Sequence, residues 1–292
     1  MHSKFIKANG LNFHVKESGS GDLILLLHGF PEFWYSWVKV IPLLDKHFKV
    51  VVPDMRGYGQ TDKPRKVSDY NFRILAKDIA EIIKVSGYEK AIIVGHDWGG
   101  GVAWEFAKLY PEMTEKLIVL NCPPAVKLQK SIFSNRKQFK MSWYIFFFQL
   151  PLIPEWWLHK NLKNLFWRML KGWSINKNAF QKEDIEQYEK TFASKSDFTG
   201  PLNYYRAALR ALFDKDFRTI PRFNMDTLII WGEADKALGK WLIDDMEQYF
   251  TQKFEIKYIP NCSHWVQQEQ PELVVKYILT FTHKIHSHEH EQ

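Results

Sequence analysis

The strongest chemical signal in this 292-residue sequence is the run Gly95-His96-Asp97-Trp98-Gly99, which follows a predicted strand and precedes a predicted helix. Such a context is typical of a nucleophile elbow, a tight turn that lifts one side chain above the end of a strand. Small residues flank the turn because the strand and the helix approach each other closely. Asp97 stands where this motif usually has Ser, and an alternative interpretation is that it only caps the following helix.

A carboxylate nucleophile narrows the range of reactions. Its attack on the carbonyl of an ester or peptide would give an anhydride, whereas its attack on a saturated carbon with a leaving group gives an ester on the enzyme. An epoxide carbon and an alkyl halide carbon both meet this requirement. The sequence therefore indicates displacement at carbon by Asp97, followed by hydrolysis of the resulting ester.

Two further residues complete a possible catalytic triad. Asp235 follows the predicted strand that ends near Trp231, and His264 follows the last predicted strand. Each alone would more often be structural, as a turn residue or a buried histidine. Their order along the chain after Asp97, however, is the nucleophile, acid and base order of triads in this type of sheet. We expect His264 to deprotonate water and Asp235 to orient His264.

The run His28-Gly29-Phe30-Pro31 directly follows a buried predicted strand. The backbone N–H groups of Phe30 and Trp98 are the predicted oxyanion hole, which would stabilise the charge that develops on an ester oxygen. Taken alone, the run is also typical of a simple Gly-Pro turn. The full set of motifs, each at a predicted strand end, is much more specific for a catalytic site than any one motif alone.

The elements that must position these residues alternate between strands and helices. Continuous apolar runs predict strands that are buried on both faces. The predicted strands are residues 23–27, 49–52, 91–94, 116–120, 227–231 and 254–259, and the predicted helices are residues 71–86, 99–109 and about 271–283. This alternation predicts a mostly parallel sheet flanked by helices, with ligands bound beyond the carboxyl ends of the strands.

The alternation stops between about residues 123 and 218, where the sequence is rich in Trp, Phe and Lys at helical spacing. We therefore predict an α/β core of residues 1–124 and 219–292, with a helical cap of residues 125–218 above the crevice. The aromatic side chains of the cap are expected mainly to pack against the core, and a fraction to line a substrate pocket.

The chain resembles the soluble-type epoxide hydrolases of the α/β-hydrolase superfamily, over residues 5–280 or nearly its full length. Three runs carry the resemblance: HGFPEFWYSW from His28, DMRGYGQTDKP from Asp54 and GHDWGG from Gly95. The resemblance implies the α/β-hydrolase fold with an inserted helical cap, and an enzyme that converts a small hydrophobic epoxide and water to a diol. It implies no cofactor and no metal.

The resemblance also assigns two tyrosines in the cap. Tyr144, five residues before Gln149, matches the first ring-opening tyrosine of the family, and Tyr205 in GPLNYYR matches the second, with Tyr204 left open as an alternative. Proton donation to a leaving oxygen typically accelerates a reaction roughly 100- to 10,000-fold. The expected lining of the substrate pocket includes Phe30, Trp98, Phe147 and Trp265.

Besides an epoxide hydrolase, two other classes of protein stay open at this level: a dehalogenase, of which two kinds resemble the chain, and a non-catalytic relative. Haloalkane dehalogenases resemble the core, but the Asn with which they bind halide after His-Gly is replaced here by Phe30. Fluoroacetate dehalogenases carry arginines just after the nucleophile, where this chain has Gly99, Gly100 and Gly101. A non-catalytic relative that acts as a receptor or partner protein is the third possibility, which the intact triad and tyrosines disfavour.

Charge and composition limit the partners. The net charge is +7, and residues 125–218 hold 17 Lys and Arg against 8 Asp and Glu. A solvated helical surface accounts for this most simply, peripheral membrane contact is a less favoured alternative, and no motif suggests nucleic acid. Two cysteines, no signal-like N-terminus and no long apolar run favour a cytoplasmic protein. We expect a monomer or a homodimer.

Overall fold

A computed structural model describes residues 1–211 and 219–282, and within these ranges the centre of the molecule is one eight-stranded sheet. In chain order the strands are β1 (His2–Ala8), β2 (Leu11–Ser18), β3 (Leu23–Leu27), β4 (Lys49–Pro53), β5 (Ala91–His96), β6 (Thr114–Leu120), β7 (Asp226–Gly232) and β8 (Phe254–Ile259). They lie side by side in the order β1-β2-β4-β3-β5-β6-β7-β8. The predicted α/β-hydrolase architecture is confirmed.

Parallel pairing runs from β4 through β3 to β8, whereas β1 and β2 form an antiparallel hairpin at one edge. The hairpin turns at Asn9 and Gly10, both with positive φ, as a two-residue turn requires. The chain leaves β3 toward β4 on one side and later returns to β5 on the other. A sheet binds ligands where its strand order reverses in this way, and here that point lies beyond the ends of β3 and β5.

Twelve α-helices accompany the sheet within the described residues. They are α1 (Ile41–Leu44), α2 (Phe72–Val85), α3 (Trp98–Leu109), α4 (Ala125–Ser134), α5 (Arg136–Met141), α6 (Trp143–Phe147), α7 (Ile153–Lys160), α8 (Leu162–Phe166), α9 (Lys182–Thr191), α10 (Thr199–Ala211), α11 (Val266–Glu269) and α12 (Pro271–Phe281). Short 3₁₀ turns and one π-helical turn, Trp167–Lys171, join them. The prediction for α12 extended to His283, which lies outside the described residues.

The central strands are buried on both faces because their side chains alternate between two apolar clusters. In β3, Leu23, Leu25 and Leu27 pack into one cluster, and Ile24 and Leu26 pack into the other. All five side chains are almost inaccessible to solvent. A strand of this kind has a continuous apolar run in its sequence rather than an alternating one.

The described residues between β6 and β7 are helical up to Ala211, and we refer to residues 125–211 as the cap. Arg206 on α10 ties the cap together through an ion pair with Glu155 on α7, at 2.8 Å between Nη1 and Oε1. The limits of the cap at residues 124/125 and 218/219 stay a prediction, and the second adjoins residues outside the described ranges. No helix of the described residues is both long enough and apolar enough to span a bilayer.

Candidate active site

Asp97 lies on a strained turn between β5 and α3, with φ 49° and ψ −120°. Non-glycine residues rarely adopt such angles, which cost on the order of 1–3 kcal/mol. The turn is possible because two neighbours lack side chains. A Cβ atom on Gly95 would collide with the carbonyl of Gly99, and one on Gly99 would collide with the carbonyl of Leu27. The turn therefore lifts the Asp97 carboxylate above the end of the sheet, as an elbow does.

Asp97, His264 and Asp235 form a continuous chain of side chains. Nε2 of His264 lies 3.4 Å from Oδ2 of Asp97, and Nδ1 of His264 lies 2.6 Å from Oδ2 of Asp235. Asp235 comes from the loop after β7, and His264 from the loop after β8. The fold thus brings together three residues that are up to 167 positions apart in the chain.

Phe30 and Trp98 approach Asp97 from two different loops. The backbone N–H of Phe30, in the loop after β3, donates a hydrogen bond to Oδ1 of Asp97 at 2.8 Å. Trp98 is the first residue of α3, so its N–H belongs to the first turn, where amides have no partner within the helix. One carboxylate oxygen of Asp97 is therefore held at the predicted oxyanion hole, while the other faces His264.

The charges on either side of His264 control the titration of the site. Burial alone would lower the pKa of His264, but the charge and hydrogen bond of Asp235, with those of Asp97, raise it well above its usual value. Burial would likewise raise the pKa of Asp97, but the hydrogen bond and charge of His264 lower it. At neutral pH the site therefore holds an ionised Asp97 beside a protonated His264.

Tyr144 on α6 and Tyr205 on α10 reach the site from the cap. Their ring centroids are 5.9 Å apart, and Tyr205 also stands edge-on to the rings of Phe30 and Trp98. Burial raises the pKa of both tyrosines, so both hydroxyls stay protonated and able to donate. Tyr204 is committed elsewhere, because its hydroxyl donates to a backbone carbonyl of the core, that of Arg56, at 2.9 Å.

Two cavities meet at Asp97, Tyr144 and Tyr205, which line both of them. The larger cavity, of about 570 Å³, is also lined by the predicted pocket residues Phe30, Phe147 and Trp265 together with His264. The smaller cavity, of about 130 Å³, is lined by the fourth, Trp98, and is almost wholly apolar. Asp97 and the two tyrosines thus lie where the two cavities meet.

Comparison with known proteins places this geometry in a family. The profile of the α/β hydrolase fold matches residues 22–271. Epoxide hydrolase 1 of Caenorhabditis elegans is 40% identical over 290 residues, which are 97% of this chain and 70% of that protein. Epoxide hydrolase 4 of Homo sapiens is 38% identical over 94% of this chain and 77% of that protein. The chain belongs to the epoxide hydrolases of the α/β-hydrolase fold.

A solved epoxide hydrolase has the same overall structure. The Bacillus megaterium epoxide hydrolase in complex with an inhibitor superposes with a TM-score of 0.86 and 30% identity, covering 96% of this chain and 100% of that one. The family predicted from the sequence motifs is therefore confirmed. The catalytic roles of the individual site residues stay predictions, and the distances between those residues define which atoms each role involves.

Asn121 is a residue of this epoxide hydrolase site that the sequence analysis missed. It follows β6 directly, and its Nδ2 donates to Oδ2 of Asp235 at 2.7 Å. Its Oδ1 accepts the N–H of Gly232 at 2.8 Å, while Oδ1 of Asp235 accepts the N–H groups of Ala237 and Leu238. Asp235 is thus held in one orientation toward His264. The available signal was a polar residue at the end of an apolar strand.

A buried pair beneath the site, Glu32 and His96, was also missed. The carboxylate of Glu32 accepts hydrogen bonds from the N–H of Gly29 at 3.0 Å and from Gln268 at 2.6 Å, and it lies 2.8 Å from Nδ1 of His96. Nε2 of His96 lies 2.8 Å from the backbone carbonyl of His264. Both ring nitrogens of His96 therefore have a hydrogen-bond partner. The pair links the loops that carry Phe30, Asp97 and His264.

Proposed function

We propose that this protein hydrolyses apolar epoxides to vicinal diols through a covalent ester of Asp97. One observation carries the proposal: an ionised carboxylate, held at Oδ1 by the N–H of Phe30, lines the same two cavities as two protonated tyrosines. A carboxylate supplies the nucleophile for a saturated carbon, and the hydroxyls supply the proton that an opening epoxide needs and a departing halide does not.

In the first step, Oδ2 of Asp97 forms a bond to one epoxide carbon while the bond between that carbon and the ring oxygen breaks. The ring oxygen receives a hydrogen bond and then a proton from Tyr144 or Tyr205. The protonated His264 is the internal source that returns a proton to the tyrosine. The product of this step is an ester of Asp97 with a free hydroxyl on the neighbouring carbon.

In the second step, the loss of charge on Asp97 changes His264 from an acid to a base. The ester no longer supplies the negative charge that helped to raise the pKa of His264, so the imidazole gives up its proton more readily. Neutral His264 then takes a proton from water, which attacks the ester carbonyl. The N–H groups of Phe30 and Trp98 hold the resulting oxyanion, and losing one such donor typically costs roughly 2.7–4 kcal/mol. The intermediate collapses as the bond between the Asp97 carbonyl carbon and the original Oδ2 breaks. The departing alkoxide takes the proton of the new Asp97 carboxyl group, which releases the diol with the original Oδ2 atom and restores the carboxylate beside protonated His264.

The cavities define the substrate class. Apolar walls on both sides of Asp97 suit an epoxide that carries apolar groups on one or both carbons. We also propose that the protein is cytoplasmic, that it is a monomer or a homodimer and that it has no nucleic-acid partner. The proposed limits of the cap are residues 125–218.

A single turnover in heavy-oxygen water tests the mechanism. With enzyme in excess over styrene oxide, the first diol formed should contain no label, and the label should appear in the Asp97 carboxylate on peptide mass analysis. An Asp97→Asn variant, as the matched control, should form neither adduct nor diol. Immediate labelling of the diol would show direct attack by water and would overturn the proposal.

A further inference from the structure

Exposed apolar side chains are concentrated on one part of the cap. Within residues 1–211 and 219–282, 16 large apolar side chains are exposed, and 11 of them fall between residues 133 and 175. They are Phe133, Phe139, Trp143, Phe146, Leu150, Leu152, Ile153, Trp156, Trp157, Trp167 and Ile175. The expectation that cap aromatics pack on the core fails for Trp156, which is 52% exposed, whereas Trp143, 58% exposed, belongs to the fraction that lines the pocket. Concentrations of this kind mark a surface that meets a partner.

Helix α7 is unusual for a surface helix, because three of its five exposed residues are apolar and its one acid is buried. Its outward residues Ile153, Trp156 and Trp157, at i, i+3 and i+4, are exposed and apolar. Its inward residues include Leu158, and Glu155, which is buried against Arg206. A helix that faces water carries its polar residues outward. The outer side of α7 therefore suits an apolar neighbour better than it suits solvent.

The same surface forms the rim of the larger cavity. The exposed rings of Trp143 and Trp157 line that cavity and are joined through Phe147, at centroid distances of 6.1 and 5.8 Å. The exposed cations Lys137 and Arg168 line it as well. We call the exposed side chains of residues 133–175 the cap surface. A substrate that enters the larger cavity beside these residues passes through the cap surface.

Positive charge accompanies the aromatic rings of the cap surface. Residues 133–175 contain seven Lys and Arg and one acid, Glu155, whose partner is Arg206. Lys160 lies over the ring of Trp156 at 5.0 Å, and Lys171 lies over that of Trp167 at 5.3 Å. Two copies of so basic a surface would repel each other. Tryptophan with flanking Lys and Arg is instead the composition that stabilises proteins at the headgroup level of a membrane.

We infer that the cap surface binds peripherally to an anionic phospholipid bilayer. Ile153, Trp156 and Trp157 then lie among the headgroups and upper acyl chains, and the surrounding cations contact lipid phosphates. The rim of the larger cavity faces the lipid in this orientation. An apolar epoxide dissolved in the bilayer can therefore reach Asp97 without crossing water.

Sedimentation with lipid vesicles tests the inference. The full-length protein should sediment with vesicles of phosphatidylcholine and phosphatidylglycerol and should largely stay in the supernatant with phosphatidylcholine alone. High salt should weaken the binding, because it screens the charges. Absence of sedimentation with the anionic vesicles, or equal sedimentation with both, would overturn the inference.

Two double variants separate the apolar and the charged contributions. The first double variant replaces Ile153 and Trp156 by Ser, and the second replaces Lys160 and Lys163 by Glu. Each should weaken vesicle binding at least about tenfold. None of these four residues lines either of the two cavities at Asp97, so turnover of water-dissolved styrene oxide and the melting temperature should be unchanged.

Matched controls lie on the core. Phe5→Ser, at a side chain that is 58% exposed on β1, and Lys66→Glu, on the exposed loop before α2, should leave vesicle binding unchanged. If the cap variants bind vesicles as well as the controls do, the cap surface is not the docking face. If light scattering shows a dimer that only the cap variants abolish, the surface instead joins two copies of the chain, which also contradicts the inference.

Discussion

Replacement of Asp235 by Asn is expected to separate the two halves of the reaction. Oδ1 of Asp235 accepts the N–H groups of Ala237 and Leu238, so this position must remain an oxygen in the variant. The amide nitrogen then takes the place of Oδ2, next to Nδ1 of His264 and the Nδ2 donor of Asn121. His264 can only accept a hydrogen bond from it, which moves the ring proton to Nε2 and removes the base that faces water.

The expected loss is large in ester hydrolysis and small in ester formation. An Asp→Asn change that forces the wrong histidine tautomer in a serine protease triad lowers turnover by about 10⁴-fold, which corresponds to about 5.4 kcal/mol of barrier. Attack by Asp97 on the epoxide needs no base. It should slow far less than ester hydrolysis, because a less cationic His264 only impairs the return of a proton to Tyr144 or Tyr205.

Intact-mass analysis after rapid mixing distinguishes the two steps. The Asp235→Asn variant should accumulate nearly one equivalent of covalent adduct with the mass of the substrate, while diol release falls about 10³- to 10⁴-fold. Glu233→Gln is the matched control, because Glu233 lies two residues away, is exposed and pairs only with Lys240 among the described residues. Equal losses of adduct formation and diol release would refute the assignment of Asp235 to the second step.

Three further changes test the remaining parts of the site. Tyr144→Phe and Tyr205→Phe should each slow adduct formation from styrene oxide about 10- to 100-fold, because a hydrogen bond to a developing charge contributes about 1.5–3 kcal/mol. Adduct formation from a bromoalkane should be nearly unchanged. Equal losses with both substrates would mean that both tyrosines are structural. Gly99→Ala should lower the melting temperature strongly because its Cβ meets backbone, with Gly101→Ala, which has space, as the control. Ester hydrolysis should rise with pH through the pKa of His264 in the ester, whereas adduct formation, measured by stopped flow, should be flat near neutrality; parallel profiles would contradict the two-step scheme.

The sequence predicts the central strands of the sheet and fails at its exposed hairpin edge. The predicted limits of β3, residues 23–27, are those of the structure, because a continuous apolar run of this length is typical of a strand buried on both faces. No strand was predicted for β1 or β2. The side chains of β1 are mostly exposed, so its sequence has no apolar run or alternation that predicts a strand. The Asn9-Gly10 turn was the one local signal of a hairpin.

Within the site, residues with a direct chemical signature were easier to predict than residues that hold them. Asp97 and His264 stand at strand ends in distinctive local sequences. Asn121 and Glu32 act through hydrogen bonds to side chains 114 and 64 positions away, and spacing along one chain does not show such partners. The exposure of Trp156 was equally hidden, since an aromatic residue at helical spacing is more often buried.

In the proposed mechanism the two oxygens of Asp97 serve different steps, which the single oxygen of a serine nucleophile cannot do. The N–H of Phe30 holds Oδ1 at 2.8 Å before any substrate reacts, which leaves Oδ2 to attack. Only interactions that strengthen from ground state to transition state accelerate a step. The Phe30 contact stabilises the resting carboxylate and therefore does not help ester formation, which depends on Tyr144 and Tyr205. In the ester, Oδ1 carries little charge and becomes an oxyanion when water attacks, so the same N–H accelerates the second step.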